Sequence, residues 1–207
     1  MFTNRSAAHR LALIAAVGAA ALALLTACGD GDDSMAGHTG MTSSAPSATA
    51  SQQPGAAFND ADSAFAQMMI PHHEQAVEMA ELAETRAADP EVKELAAKIK
   101  AAQDPEITIM TGWLPAWKVA PSEGDHGGHG MPGMMTEADM GKLQAAKGAE
   151  FDRMFAKLMI AHHRGAITMA KTEQEQGASP EAKELAKTVE TAQQAEIAQM
   201  QKLLDRL

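Results

Sequence analysis

Phe65 to Ala80 reads FAQMMIPHHEQAVEMA, and Phe155 to Ala170 reads FAKLMIAHHRGAITMA. The second stretch repeats the first at an offset of 90 residues, and the register holds without a gap from Phe65 to Leu114 and from Phe155 to Leu204, with 22 identities in 50 aligned positions. Matched pairs include Met69/Met159, His72/His162, His73/His163, Ala76/Ala166 and Met79/Met169. They continue with Pro90/Pro180, Glu91/Glu181, Leu95/Leu185, Gln103/Gln193, Glu106/Glu196 and Met110/Met200. Chance does not produce such a series, whereas duplication of one structural unit does.

Each unit reads as a helical hairpin. Phe65, Met69, His72, Ala76, Met79 and Leu82 recur at three-and-four spacing, which places them on one helix face. The first helix is expected to start near Asn59, a good cap, and to fade by Arg86. Asp89-Pro90-Glu91 then supplies a cap, a proline at the first helical position and an early acid. Val92, Leu95, Ile99, Ala102, Glu106, Met110 and Trp113 continue the next face. Pro105 falls inside that helix and is expected to kink it or cut its hydrogen-bond ladder; the second copy has Ala195 there. The second hairpin reads as Ala149 to Gln176 and Pro180 to Arg206, with Ser179 as cap. A single amphipathic hairpin cannot bury its own face, so the copies are expected to pack on each other. The simplest result is an all-α four-helix bundle built from two tandem hairpins.

Composition agrees. Aromatic residues make up 3% of the 207 and there is no Tyr, while Ala, Glu, Lys, Gln and Met dominate the repeats. That is a helix-forming alphabet with little to build strands. The net charge of -10 disfavours nucleic acid and anionic lipid surfaces as partners. The single Cys excludes an intrachain disulfide.

The first 27 residues read as a signal peptide. Arg5 and Arg10 precede an apolar run from Leu11 to Leu25, and no acid occurs before Asp30. The run is short for a permanent span and ends in Leu25-Thr26-Ala27-Cys28, the pattern of a secretory leader. Leu-Thr-Ala-Cys resembles a bacterial lipobox, which implies that Cys28 is lipidated and becomes the mature N-terminus, holding the protein to the outer face of a membrane. Removing the leader takes away two Arg and no acid, so the charge of -10 becomes -12. Residues 28–57 are rich in Gly, Ser, Thr, Ala, Pro and Asp and read as a flexible tether. The repeats then occupy residues 58–114 and 148–207. Between them, residues 115–147 form a His/Met-rich linker, with Thr136 and Asp139 capping a short helix that reaches Ala146.

The adjacent histidines carry the chemistry. His72 and His73 lie about 100° apart around a helix, so one is expected to face inward and the other to sit at a helix seam. Counting back from the hairpin turn places His72 roughly opposite Glu106. Gln103, Glu106 and Met110 make a polar-and-sulfur line on an otherwise apolar face. Imidazole and thioether together suit copper, the thioether selecting Cu(I), and 15 Met occur in the chain. Met on a helix face is ordinary core filler, and for the Met stripe alone core packing is the favoured reading. The His-His pair is kept in both copies while Glu74-Gln75 drifted to Arg164-Gly165, which favours a function. The linker adds His126, His129, Met131, Met134 and Met135, a tract of the kind that often binds metal. Enzyme motifs are missing. The only Glu-x-x-His spacing, Glu123 to His126, lies among glycines rather than on a helix, which speaks against a di-iron bundle. Val77 stands where a zinc-protease motif needs His. A non-catalytic module is expected, either capturing copper or serving as a structural or protein-interaction module of the envelope.

MMIPHHEQAVEMA and LMIAHHRGAITMA, each followed by Pro-Glu, Leu-Ala and Gln-x-x-Glu-Ile-x-x-Met, resemble the bacterial family called domain of unknown function 305. The resemblance covers residues 58 to 207. It implies a ferritin-like four-helix bundle, export as a lipoprotein and, for some members, copper binding or tolerance. Residue by residue it points to His72, His73, Met79, Gln103, Glu106 and Met110 in the first copy. In the second it points to His162, His163, Met169, Gln193, Glu196 and Met200. The second copy departs from the pattern at Ala161, which replaces Pro71, and at Leu158, which replaces Met68.

Overall fold

A computed structural model describes residues 57–121 and 131–207. The leader, Cys28, most of the tether, His126 and His129 lie outside these residues. Those described form five helices and no strand: α1 (Asp60–Arg86), α2 (Pro90–Ala116), α3 (Glu137–Ala145), α4 (Ala149–Gln176) and α5 (Pro180–Arg206). None of these helices is long and apolar enough to cross a membrane.

The helices begin where local chemistry lets them. Asn59 accepts the amides of Ala61 and Asp62 while the Asp62 carboxylate accepts that of Asn59, closing a capping box. Asp89, Thr136 and Ser179 cap α2, α3 and α5 through their side chains, and Pro90 and Pro180 open α2 and α5. Gly148 caps α4 without a side chain; its amide donates instead to the Arg86 carbonyl at 2.8 Å, tying the start of α4 to the end of α1.

Pro105 does not interrupt α2, which runs unbroken to Ala116. Pro105 and Ala101, whose carbonyl loses its partner, are both exposed, so solvent has access to the freed carbonyl. Pro71 likewise lies inside α1 without ending it. The buried line of α2 is Val92, Leu95, Ala96, Ile99, Gln103, Met110 and Leu114, so it passes through Gln103 and leaves Ala102 in solvent.

α1 packs chiefly on α2 and α4 on α5, giving two hairpins. These meet along α1 and α4, whereas α2 and α5 barely touch. Two apolar clusters form the core. One joins Met79, Leu95 and Ile99 to Phe151, Phe155, Met159 and Met200, with Met135, Met140 and Leu143 from the linker. The other joins Phe65, Met69, Met110 and Leu114 to Ala166, Met169 and Val189.

The hairpins are also clasped reciprocally. The buried Asp62 of α1 accepts the amides of Ala178 and Ser179 in the α4–α5 turn, at 3.0 and 2.8 Å. Ninety residues on, the buried Asp152 of α4 accepts the amides of Ala88 and Asp89 in the α1–α2 turn, at 3.1 and 3.0 Å. Each repeat therefore caps the turn of the other with the same residue.

Candidate functional site

The two His-His pairs fall near the middle of α1 and α4, the helices through which the hairpins meet. All four imidazoles are fully buried, so none is a surface or seam residue. The 100° between neighbours is resolved by facing two different helices. His72 looks across to α4, its ring centroid 3.8 Å from that of His162. His73 looks into its own hairpin, with Nε2 2.8 Å from Glu106 Oε2. His163 repeats this with Glu196 at 2.6 Å. The sequence expectation that His72 lies opposite Glu106 is thus corrected by one residue. The imidazole that meets the carboxylate is His73, because packing of α1 on α4 claims the His72 face.

A carboxylate only accepts, so a neutral His73 or His163 donates from Nε2 and carries its lone pair on Nδ1. His72 Nε2 lies 3.1 Å from the Pro132 carbonyl of the linker. His162 has no hydrogen-bond partner of good geometry at either nitrogen. Nδ1 of His72, His73, His162 and His163 and Nε2 of His162 are all buried and unpaired, as are both amide atoms of Gln103 and the amide oxygen of Gln193. Leaving such a group unpaired costs about 1–3 kcal/mol, so any added partner in this layer would be stabilising. The environment keeps the His72 and His162 rings neutral. Burial, reinforced by the neighbouring His73, pushes His72 down to about 3, against the opposing bond to Pro132. Burial followed by the charges of His72, His163 and His73 holds His162 well below the ordinary imidazole range. Neutral imidazole is the form that binds a metal.

The sulfurs are arranged differently from a single stripe. Met79, Met159 and Met200 lie in one apolar cluster, and Met69, Met110 and Met169 in the other. Met135 from the linker is buried with the first cluster, while Met131 and Met134 are half-buried. Among the described residues no three His, Cys, Asp or Glu side chains converge as a ready metal-ligand set. The fit to a soft metal therefore rests on unpaired imidazole nitrogens in a layer between thioether-rich clusters.

Sequence reasoning missed four features: Asp62 and Asp152, the buried acid Glu173, and the seating of residues 131–135. The aspartates were visible, being identical at the 90-residue offset only three positions before the quoted stretch. Glu173 replaces Ala83 of the first copy, and Gly177 replaces Ala87; a Cβ on Gly177 would lie 2.1 Å from Glu173 Oε1, so the two changes go together.

Fold and site together define a duplicated all-helical protein with a buried imidazole–carboxylate layer where its repeats meet. The chain belongs to the DUF305 family, whose model, described as a domain of unknown function, matches residues 62–204. A DUF305 protein of Streptomyces coelicolor is 38% identical, with a TM-score of 0.66 over 70% of this chain and 93% of that one. A DUF305 fragment from Deinococcus radiodurans is 32% identical, with a TM-score of 0.67 over 72% of this chain and 98% of that one. CopM in its Cu(II)-bound form is 38% identical, with a TM-score of 0.63 over 70% of this chain and 96% of that one. CopM also matches in Cu(I)-bound, silver-bound and apo forms. A comparison with curated proteins gives no match.

Proposed function

We propose that this chain is an exported, non-catalytic protein that captures copper through His and Met side chains, for homeostasis or tolerance. The observation that carries this reading is the buried layer of His72, His73, His162 and His163, five of whose ring nitrogens have no partner. Glu106 and Glu196 orient two of the rings, as carboxylates commonly do behind metal-bound imidazoles. Copper, when bound, supplies a soft cation that neutral imidazole and thioether satisfy together. Met79, Met110, Met169 and Met200 are the helix thioethers proposed to take part. His126, His129, Met131, Met134 and Met135 of the linker are proposed as a second, looser donor group. On this reading the two hairpins form a ferritin-like four-helix bundle with the imidazole layer at its middle. The likeness to CopM, solved with Cu(I) and with Cu(II), supports the choice of metal.

The test is anaerobic titration of the mature protein with Cu(I), Cu(II) and Zn(II). Cu(I) is expected to bind tightly, and the paired variant His72→Ala, His162→Ala to bind it more than about tenfold less tightly. The rival reading is a structural or interaction module of the envelope, favoured by the helix Met residues packed in the core and by the lack of a converged ligand set among the described residues. Equal weak uptake of all three ions, unchanged in the variant, would establish the rival.

Export is proposed to end at the extracytoplasmic face of a membrane, through lipid on Cys28. The relative from Streptomyces coelicolor is named as a secreted protein, which supports export. Mass spectrometry of the native N-terminus is expected to show a diacylated or triacylated Cys28. A mature chain that starts elsewhere or carries a bare Cys would reject the anchor.

A further inference from the structure

The segment from Met131 to Met135 crosses beside the histidine layer, and the two repeats hold it through one shared repeat position. In the first repeat that position is Gln75. Its amide nitrogen donates to the Met135 carbonyl at 3.0 Å, and its amide oxygen accepts from the Met135 N–H at 2.7 Å. Ninety residues on, the position is Gly165, where an added Cβ would stand 1.9 Å from the Pro132 carbonyl oxygen. Gly133 meets the same turn of α4 from the other side. Its φ is +80°, and a Cβ on it would fall 2.8 Å from the His162 carbonyl oxygen and 2.9 Å from Gly165 Cα. Linker and helix thus touch backbone to backbone, which only glycine at both positions permits. The first repeat supplies an amide clamp and the second a gap, so the Gln75/Gly165 divergence serves one asymmetric strap.

That strap delivers a single polar atom to the layer. The Pro132 carbonyl stands 3.1 Å from His72 Nε2. A carbonyl only accepts, so Nε2 carries the ring proton and the lone pair sits on Nδ1, which is buried and unpaired. His162, the symmetry mate of His72 in the repeat, receives no carbonyl from the strap; the backbone group beside it is that of His72, and it makes no hydrogen bond of good geometry. The strap therefore makes two equivalent histidines chemically unequal.

We propose that Pro132 is a positioning residue: its carbonyl, seated by the Gln75–Met135 clamp and the Gly133–Gly165 crossing, fixes the tautomer and ring orientation of His72 and presents Nδ1 as its ligating atom. The ligating half of this inference rests on the copper reading above. The positioning half does not.

The experiment uses the full mature protein and two variants, Gly165→Ala and Gln75→Ala. Alanine is the better helix former, so Gly165→Ala is expected to keep the helical circular dichroism while its methyl expels the strap. Gln75→Ala releases the strap without adding bulk. Imidazole 15N and ring-proton NMR of the metal-free protein is expected to show His72 with a slowly exchanging proton on Nε2, lost in both variants. A His72 protonated on Nδ1, or a slow Nε2 proton that survives in both, overturns the proposal. Cu(I) affinity is then expected to fall about tenfold in both variants, although no His or Met is altered. Unchanged affinity in both, with a wild type that binds, also overturns it. A wild type that binds no Cu(I) overturns the copper reading, and the ring-proton result still decides the positioning.

Discussion

Asp152→Ala is expected to lower the free energy of unfolding by about 2–3 kcal/mol. The carboxylate is buried at the start of α4 and takes two backbone amides of the opposite hairpin, those of Ala88 and Asp89. Bonds to a charged acceptor contribute about 1.5–3 kcal/mol each. Ala88 is exposed and Asp89 half-buried, so water recovers part of the loss. Asp152→Asn keeps one good acceptor and is expected to lose roughly half as much. Asp62→Ala opens the matching clasp at the other end. It also removes the acceptor to which the protonated Glu173 carboxyl can donate and the bond from Asn59, so its net effect is expected to be at least as large. Urea unfolding of the three variants at fixed pH measures this. A loss below about 0.5 kcal/mol for Asp152→Ala, the scale of an ordinary surface change, would mean that the clasp does not hold the hairpins together.

Wild-type stability is expected to fall between pH 6.5 and 8, and Glu173→Gln to remove that fall. Burial, then the hydrogen bond to Asp62 and the repulsion from its charge, raises Glu173 from 4.5 to about 8, against the opposing pull of Lys183. Protonated, the carboxyl can donate to Asp62; ionised, its two buried oxygens have no partner. The native state therefore holds a proton that the unfolded chain releases near 4.5. Its stabilisation is complete below that pH and is lost as pH rises through about 8. A shift of this size corresponds to a few kcal/mol at ~1.4 kcal/mol per pH unit, and about 2 kcal/mol of it falls in the window from 6.5 upward. His72 and His162 act in the opposite sense. Their lowered values mean that stability is lost as pH falls below the free imidazole value of 6.5. The range above 6.5 is thus where Glu173 stands alone among these groups. Asp62, itself held low, matters only at more acid pH. Denaturant curves at pH 6.5, 7.2 and 8.0 provide the comparison. Parallel pH slopes for wild type and Glu173→Gln would exclude this role for the carboxyl.

The sequence by itself determined the helices. The offset of 90 made the duplication visible, and apolar spacing with Asn59, Asp89-Pro90, Thr136 and Ser179-Pro180 located the helix ends. Those signals are local: caps and periodicity act within a turn or two of the chain. It also singled out His72, His73, His162 and His163, because a repeat shows which residues resist drift. Tertiary structure decided what each of them meets. Periodicity gives the angle between His72 and His73 but not the rotation of α1 against its neighbours, and packing of α1 on α4 rather than on α5 set that rotation. It turned His72 toward His162 and left Glu106 to His73. The same packing divided the Met residues between two clusters, which a stripe on one helix could not reveal. Bonds spanning 60 residues or more, from Asp62, Asp152, Gln75 and His72, follow no local pattern. They exist because two copies of one hairpin closed on each other and trapped an unrepeated linker between them, and only that closure brings a proline carbonyl to one histidine of an otherwise matched pair.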